Sequence, residues 1–116
     1  MYLHKIDGLS EHFIYSNDDM MPMNLMQARD FFTDEGLPIY ELSHKEKADG
    51  IFWQQCKRSY QLAARLAGYG IDSARYFLPK HSMDPMLKSV LEEVHEKVGK
   101  EIYRSCTKFR EPWNFT

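Results

Sequence analysis

The stretch Ile51–Pro79, IFWQQCKRSYQLAARLAGYGIDSARYFLP, constrains the fold most strongly because a long helical pattern in it ends abruptly. Its apolar residues recur at steps of three and four on several sides of the helix, which predicts a mostly buried helix. Gly68-Tyr69-Gly70 tolerates positive φ angles and predicts a glycine cap at the helix end. The sequence therefore predicts a central core helix, a tight corner, and a short helix from Ser73 to Phe77 that Pro79 ends.

Two further helix boundaries follow from capping patterns. Ser43 and Glu46 fit a Ser-x-x-Glu capping box, which predicts that the core helix runs from about His44 to Ala67. Gly50 lies inside that range, costs about 1 kcal/mol relative to alanine in a helix, and is a candidate break point. Asp84 as N-cap and Pro85 at the first helical position predict a final amphipathic helix that ends before Pro112.

The N-terminal third shows strand and turn patterns. Two β-prone runs, YLHKI and HFIY, flank Asp7–Glu11 and predict a hairpin. Ser16–Asp19 supplies N-caps for a helix that begins near Pro22 and ends at Gly36, and Leu37–Tyr40 should be extended. The predicted fold is mainly α, a compact helical domain of about four helices with a small N-terminal β-hairpin, and residues 1–116 form a single domain.

Composition narrows the class of protein. A net charge of -2 and a pI near 6.2 argue against a dedicated nucleic-acid binder. No apolar run approaches the roughly 18 residues of a membrane span, and the N-terminus lacks a signal-peptide pattern. We therefore expect a soluble cytoplasmic protein without membrane contact. Cys56 and Cys106 are isolated in sequence and are expected to be buried thiols on helices.

Two Glu-x-x-His patterns, Glu41–His44 and Glu92–His95, match the spacing used in di-iron carboxylate bundles. However, Ser43 as an N-cap places Glu41 outside the helix, and His95 lies beside a charged helix face. The glycine and serine signatures of nucleotide-binding loops and serine hydrolases are also absent. We predict no metal site, no catalytic residue and no cofactor, which favours a non-enzymatic protein.

A helix-turn-helix motif is one alternative interpretation of the corner. Ala64, Gly68 and Ala74 lie near the expected offsets, and Arg75 would lie on the second helix. Pro79 ends that helix before a recognition helix would be complete. DNA binding therefore stays a secondary hypothesis.

The segment Tyr60–Pro79 also resembles part of the flavin-dependent thymidylate synthases. Tyr60 is followed by Gly68, by Ala74-Arg75 and by Leu78-Pro79, as in that family, whereas the family's Arg-His-Arg signature has no counterpart here. The resemblance implies a nucleotide- or flavin-binding protein in which Arg75 contacts an anionic ligand. The basic residues expected to line that ligand with it are Lys57, Arg58 and Arg65.

Large apolar side chains exceed what a minimal core needs: two Trp, seven Tyr, seven Phe and seven Met. Such a surplus indicates a contact surface for a protein partner or a homo-oligomer. The leading hypothesis is a small non-enzymatic helical interaction protein, for example a virus-encoded inhibitor or adaptor. The predicted partner-binding residues are Trp53, Tyr69, Tyr76, Trp113 and Phe115.

Overall fold

The computed structural model describes residues 2–45, 50–70, 76–79, 83–106, 111 and 114, with no side-chain description for 43–45 and 76–79. In this part of the chain there are four short strands and two α-helices. In chain order these are β1 (His12–Tyr15), β2 (Leu42–Lys45), α1 (Ile51–Leu66), β3 (Tyr76–Pro79), β4 (Asp84–Leu87) and α2 (Lys88–Ser105). The prediction of about four helices is therefore wrong.

The chain divides into two compact units. Unit 1 contains residues Met1–Glu41 and Pro79–Lys97, and unit 2 contains Leu42–Leu78 and Val98–Thr116. Each unit has its own two-stranded sheet: β1 pairs with β4 in unit 1, and β2 pairs with β3, most of which belongs to unit 2. The two units are described separately below.

The β1–β4 ribbon of unit 1 is antiparallel, with His12 opposite Leu87 and Tyr15 opposite Asp84. The predicted N-terminal hairpin is wrong, because YLHKI does not pair with HFIY and instead contains a 3₁₀ turn at Leu3–Lys5. Pro85 is fully buried opposite Ile14. A proline is tolerated at this point because an edge strand leaves one side of its backbone without a pairing strand.

Helix α2 starts at Lys88, so Asp84 and Pro85 lie in a strand and the predicted N-cap is wrong. Glu11 supplies the cap from the residue before β1. Its carbonyl oxygen accepts a hydrogen bond from the Lys88 amide at 2.8 Å, and its carboxylate accepts one from the Ser89 hydroxyl at 2.5 Å. A carboxylate at this position accepts hydrogen bonds from the first N–H groups of the helix. Its negative charge also interacts favourably with the positive end of the helix dipole. Glu93 and Lys97 form an i,i+4 ion pair along α2.

The helix predicted between Pro22 and Gly36 is also wrong. Only Ala28–Asp30 is helical, as a 3₁₀ turn with a reciprocal capping box between Gln27 and Asp30. The chain then folds into a tight loop in which the Ile39 amide donates to the Phe31 carbonyl at 2.8 Å. Phe32 and Pro38 form an isolated antiparallel bridge, which confirms the extended backbone predicted around Pro38.

Unit 2 is organised around α1, which begins at Ile51 directly after Gly50. The proposed break at Gly50 is confirmed, and the predicted start at His44 is wrong because Leu42–Lys45 is a strand. The glycine C-cap is confirmed: Gly68 has φ +76°, its amide donates to Arg65, and the Tyr69 amide donates to Ala64 at 2.9 Å. This pair of bonds is a Schellman motif. The buried residues of α1 are Gln55, Cys56, Leu62 and Ala64.

The short helix predicted from Ser73 to Phe77 is wrong at its C-terminal end, because Tyr76–Pro79 forms β3. Its first half, residues 73–75, lies outside the described residues. The prediction of two buried thiols is half confirmed. Cys56 is buried on α1, whereas Cys106 is exposed immediately after α2.

A buried glutamine ties the end of the chain to α1 within unit 2. Gln55 is only 4% exposed, and its side-chain amide donates to the Glu111 carbonyl at 2.8 Å. The Asn114 side chain donates to the Ser105 carbonyl and accepts from the Glu111 amide. These bonds satisfy polar groups that would otherwise be buried without partners.

Candidate functional site

An open cleft with a volume of about 590 Å³ lies in unit 1, beside the end of β1. This volume falls in the range of about 300–1,000 Å³ that is typical of small-molecule sites. The residues that line it combine three carboxylates with a run of apolar side chains: Asp19, Met20, Met21, Pro22, Met26, Asp30, Phe31, Ile39, Glu41 and Met83. We consider it the candidate functional site of the described chain.

The antiparallel ribbon brings the first cleft residues together. Tyr15 and Asp84 are paired, so the chain leaving β1 and the chain entering β4 emerge at the same end of the ribbon. Asp19 therefore lies near Met83 despite their separation in sequence. The Met20 amide donates to the Asn17 carbonyl at 3.2 Å, which turns the chain directly after β1.

The loop from Phe31 to Ile39 supplies a second part of the lining. Gly36, near its tip, has φ +80°, and a hydrogen bond of 3.0 Å joins the His12 Nε2 atom to the Gly36 carbonyl oxygen. The Thr33 amide also donates to the Leu37 carbonyl at 2.9 Å. These bonds join the loop to β1 and fix the positions of its two ends, which reach the cleft.

Tyr40 fixes the position of Glu41 beside the cleft. The Tyr40 hydroxyl donates to the Pro85 carbonyl at 2.5 Å, which ties the chain next to Glu41 to β4. Burial raises the pKa of the Tyr40 phenol, and the nearby carboxylate of Asp84 raises it further. The phenol therefore stays protonated and can act as a hydrogen-bond donor throughout the neutral range.

The charged side chains in the described lining of the cleft are all acidic. Its described lining contains three carboxylates and no lysine, arginine or histidine. Across the described residues, no group of three or more His, Cys, Asp or Glu side chains is arranged to hold a metal ion on its own. An anionic ligand would need a cation to accompany it here, whereas hydroxyl groups could donate directly to the carboxylates.

A second cluster in unit 1 contains Tyr2, His4 and His95. The two imidazole ring centroids are 4.9 Å apart, and Tyr2 meets His95 edge to face at 5.2 Å. His4 is 8% exposed, and its buried Nδ1 atom has no hydrogen-bond partner among the described atoms. Burial lowers the pKa of His4, and the neighbouring His95 and Lys5 lower it further. His4 is therefore held neutral as a packing residue.

Three of the four sequence-predicted ligand residues are described, and none of these three is among the described residues that line the cleft. Lys57, Arg58 and Arg65 lie on α1 in unit 2, and Arg65 pairs with Glu101 at 2.9 Å. Arg75 lies outside the described residues. A role for these four residues in ligand binding stays a prediction.

The predicted partner-binding residues are also untested. Trp53 is half-buried on α1, where its ring meets that of Phe52 at a centroid distance of 5.0 Å. Tyr69 is exposed after α1, and Tyr76 lies in β3. Trp113 and Phe115 lie outside the described residues. The predicted protein partner or homo-oligomer, and the cytoplasmic location, likewise stay predictions.

Sequence reasoning missed the cleft residues. The local patterns predict only an N-cap role for Ser16–Asp19, a helix that includes Asp30, and a Glu-x-x-His pattern that begins at Glu41. The available signal was the alternating run HFIY followed at once by Ser-Asn-Asp-Asp, that is, carboxylates at the end of a strand. Acidic residues at strand ends are common in ligand sites as well as in turns.

Comparison with known proteins gives a consistent set of relatives, although no family model matches the chain. An exopolysaccharide phosphotransferase from Streptomyces coelicolor is 30% identical over 96% of this chain and 12% of its own length. The exopolysaccharide phosphotransferase CpsY from Mycobacterium tuberculosis is 31% identical over 90% of this chain and 20% of its own. The capsular polysaccharide phosphotransferase WcwK from Streptococcus pneumoniae is 50% identical over 33% of this chain and 11% of its own.

These similarities correct the functional predictions made from the sequence. The relatives are named as enzymes, so the hypothesis of a non-enzymatic interaction protein or viral inhibitor is wrong. The proposed kinship with flavin-dependent thymidylate synthases is wrong as well, because the relatives found are polysaccharide phosphotransferases. The comparisons give no support to a nucleotide- or flavin-binding protein or to a DNA-binding domain.

The chain spans about a tenth to a fifth of the length of the curated relatives it matches. Among the described residues, no helix has both the length and the apolar character needed to cross a bilayer. The sequence thus resembles a segment of polysaccharide phosphotransferases, and the structure offers an acidic cleft as the candidate site.

Proposed function

We propose that this chain is the part of a polysaccharide phosphotransferase that binds the phosphate groups of a substrate through a divalent cation in the acidic cleft. One observation carries the proposal: a cleft with three carboxylates occurs in a chain that is similar over nearly its whole length to exopolysaccharide phosphotransferases. Because the chain spans a small part of those relatives, the proposal concerns the binding step.

The charge of the cleft supports a cation-mediated mode of binding. Phosphoryl transfer depends on positioning and on neutralising the negative charge of the phosphate oxygens. The described lining has no basic side chain for this purpose, so a bound cation would have to supply the positive charge. Mg²⁺ is commonly held by one or two carboxylates, several waters and the phosphates of the substrate.

The three carboxylates are not equivalent. Asp30 accepts a hydrogen bond from the Gln27 amide at 2.7 Å, so it stabilises the 3₁₀ turn that forms part of the cleft. Asp19 follows the turn after β1, and Glu41 follows the tyrosine anchored to Pro85. We assign the cation to Asp19 and Glu41 by their positions in the lining of the cleft, whereas Asp30 stabilises the 3₁₀ turn beside it.

Calorimetric titration of the 116-residue chain with glucose 1-phosphate, with and without Mg²⁺, tests the proposal. We expect binding that requires Mg²⁺ and that weakens about tenfold or more in D19N and in E41Q, because each substitution removes one charged oxygen ligand. The matched control is D34N, which changes an exposed aspartate of unit 1 that does not line the cleft.

The outcomes are distinct. Binding that is equally strong without Mg²⁺, or that D34N weakens as much as D19N, would contradict a cation site at Asp19 and Glu41. Circular dichroism of each variant checks that the fold is retained. A variant that has lost its helical signal is replaced by the milder D19E or E41D, for which weaker Mg²⁺-dependent binding is expected and unchanged binding counts against the proposal.

A further inference from the structure

We infer that the exposed side of α2 is a docking surface for α2 of a second copy of this chain, which lies against it antiparallel. The inference does not depend on the proposed function, because it uses none of the residues that line the cleft. Since α2 (Lys88–Ser105) is one continuous helix, the positions of its side chains relative to one another follow from helix geometry.

Four exposed charges on α2 have no partner within the described part of the chain. Among the exposed charged residues of this helix, Glu93 pairs with Lys97, and Glu101 pairs with Arg65 of α1. No ion pair or side-chain hydrogen bond joins the others to a described residue. These others are Glu92, Glu96, Lys100 and Arg104.

The four unpaired residues form one stripe, here called the charge stripe, in which the charges have a regular order. They are spaced four residues apart, and residues four apart are neighbours on a helix surface. Two carboxylates come first and two cations follow, over about 18 Å of the helix. A rotation by half a turn about the middle of the stripe exchanges Glu92 with Arg104, and Glu96 with Lys100.

This order of charges selects both the occupant and its direction. In an antiparallel pair of α2 helices, each carboxylate of one copy faces a cation of the other, whereas a parallel pair would place like charges together. A surface that matches itself after a two-fold rotation is what a symmetric dimer requires. Side chains four residues apart also form the ridges that interlock when two helices pack. The charge stripe therefore fits a second copy of itself.

Tyr103 adds apolar area beside the charge stripe. It is 70% exposed and follows Lys100 by three residues, so it lies on the same side of the helix. Tyrosine is enriched at protein contact surfaces. Because exposed ion pairs each contribute little affinity, we expect a weak dimer with a Kd of about 0.1–1 mM at low salt. Salt should weaken it further by screening the charges.

Sedimentation equilibrium of the 116-residue chain, at concentrations from about 20 µM to about 1 mM, tests the inference. At low salt the average mass should rise from 13.8 kDa toward twice that value. In about 0.5 M NaCl the Kd should increase about tenfold or more.

Charge reversals test the stripe itself. E92K/E96K leaves four cations in the stripe and K100E/R104E leaves four carboxylates, so each variant alone should dimerise about tenfold or more weakly. An equimolar mixture of the two should form a heterodimer. The quadruple variant E92K/E96K/K100E/R104E reverses the order of charges and keeps the net charge of -2, so it should dimerise like the unmodified chain.

D7K/D34K is the matched control, because it changes the net charge as much as E92K/E96K does, at two exposed residues outside α2. It should dimerise within about threefold of the unmodified chain. Circular dichroism checks that each variant keeps its helices. If a double variant unfolds, E96K and K100E replace it, and each should weaken the dimer by a smaller factor.

Three results would overturn the inference: a chain that stays monomeric at about 1 mM in low salt, a folded quadruple variant that does not dimerise, or an equal loss in D7K/D34K. Carbodiimide cross-linking of mixed isotope-labelled and unlabelled chain tests the direction of the helices. It should join Glu96 of one copy to Lys100 of the other, and cross-links found only within single copies would contradict the antiparallel arrangement.

Discussion

Gly36 is the residue whose substitution tests most directly how the cleft is supported. Its φ of +80° lies in the left-handed region, and a Cβ atom added there would lie 2.8 Å from the Nε2 atom of His12. The His12 ring is hydrogen-bonded to the Gly36 carbonyl at 3.0 Å, so it cannot move away without losing that bond. We expect G36A to destabilise the loop that carries Phe31 and Ile39.

The magnitude is the sum of two effects. An alanine in the left-handed region costs about 1–2 kcal/mol, and loss of one hydrogen bond costs about 1 kcal/mol. The free energy of unfolding should fall by about 2–3 kcal/mol, which for a chain of this size lowers the Tm by about 8–12 °C. Thermal unfolding followed by circular dichroism measures this change, and urea unfolding provides an independent value.

Gly8 provides the matched control. Its φ is +77°, but no heavy atom lies within 4 Å of a Cβ built there. G8A should therefore show only the backbone cost of about 1–2 kcal/mol. If G36A is no more destabilising than G8A, the contact with His12 carries no cost and the reasoning about the loop is refuted. In H12A, which removes the ring, the extra cost of G36A should disappear.

Three further predictions concern the rest of the chain. The pKa of His4 is lowered in the folded chain, so the unfolded chain binds a proton at this histidine at a higher pH than the folded chain does. The free energy of unfolding should therefore fall as the pH drops below about 6.5. In urea unfolding from pH 5 to 8, this free energy should depend less on pH in H4F than in the unmodified chain. E11Q should cost about 0.5–1 kcal/mol through weaker capping of α2, and the cost should shrink in high salt. Q55L should cost about 1–3 kcal/mol in urea unfolding, because the Glu111 carbonyl loses its donor.

Helix α1 and its end could be predicted from the sequence because their signals are local. The apolar spacing from Ile51 onward and the glycine at position 68 act within one or two turns of helix, and the Schellman bonds at Arg65 and Ala64 confirm the predicted cap. The middle of α2 was predicted for the same reason. The sequence also predicts the break at Gly50, where α1 begins, but it does not predict the strand Leu42–Lys45.

The strands could not be predicted with the same success because their partners are distant in sequence. The run HFIY pairs with Asp84–Leu87, and the nearer run YLHKI is not its partner. The same distance explains the wrong start of α2. Asp84 and Pro85 fit the local pattern of a helix N-terminus, but Glu11 provides the actual cap once β1 and β4 are paired. A local sequence pattern cannot show that a carboxylate far away in sequence caps the helix.

No local sequence pattern predicts the cleft, although the residues that line it can all be found in the sequence. Asp19 follows a strand, and Glu41 follows a tyrosine whose hydroxyl bonds to Pro85. Neither spacing matches a known metal or phosphate motif, because the two carboxylates are brought to one cleft by the β1–β4 pairing and by the loop that is hydrogen-bonded to β1 at Gly36. Their nearness is thus a property of the ribbon. It follows that a change far from the carboxylates, such as G36A, should weaken Mg²⁺-dependent binding as well as stability, whereas G8A should lower stability alone.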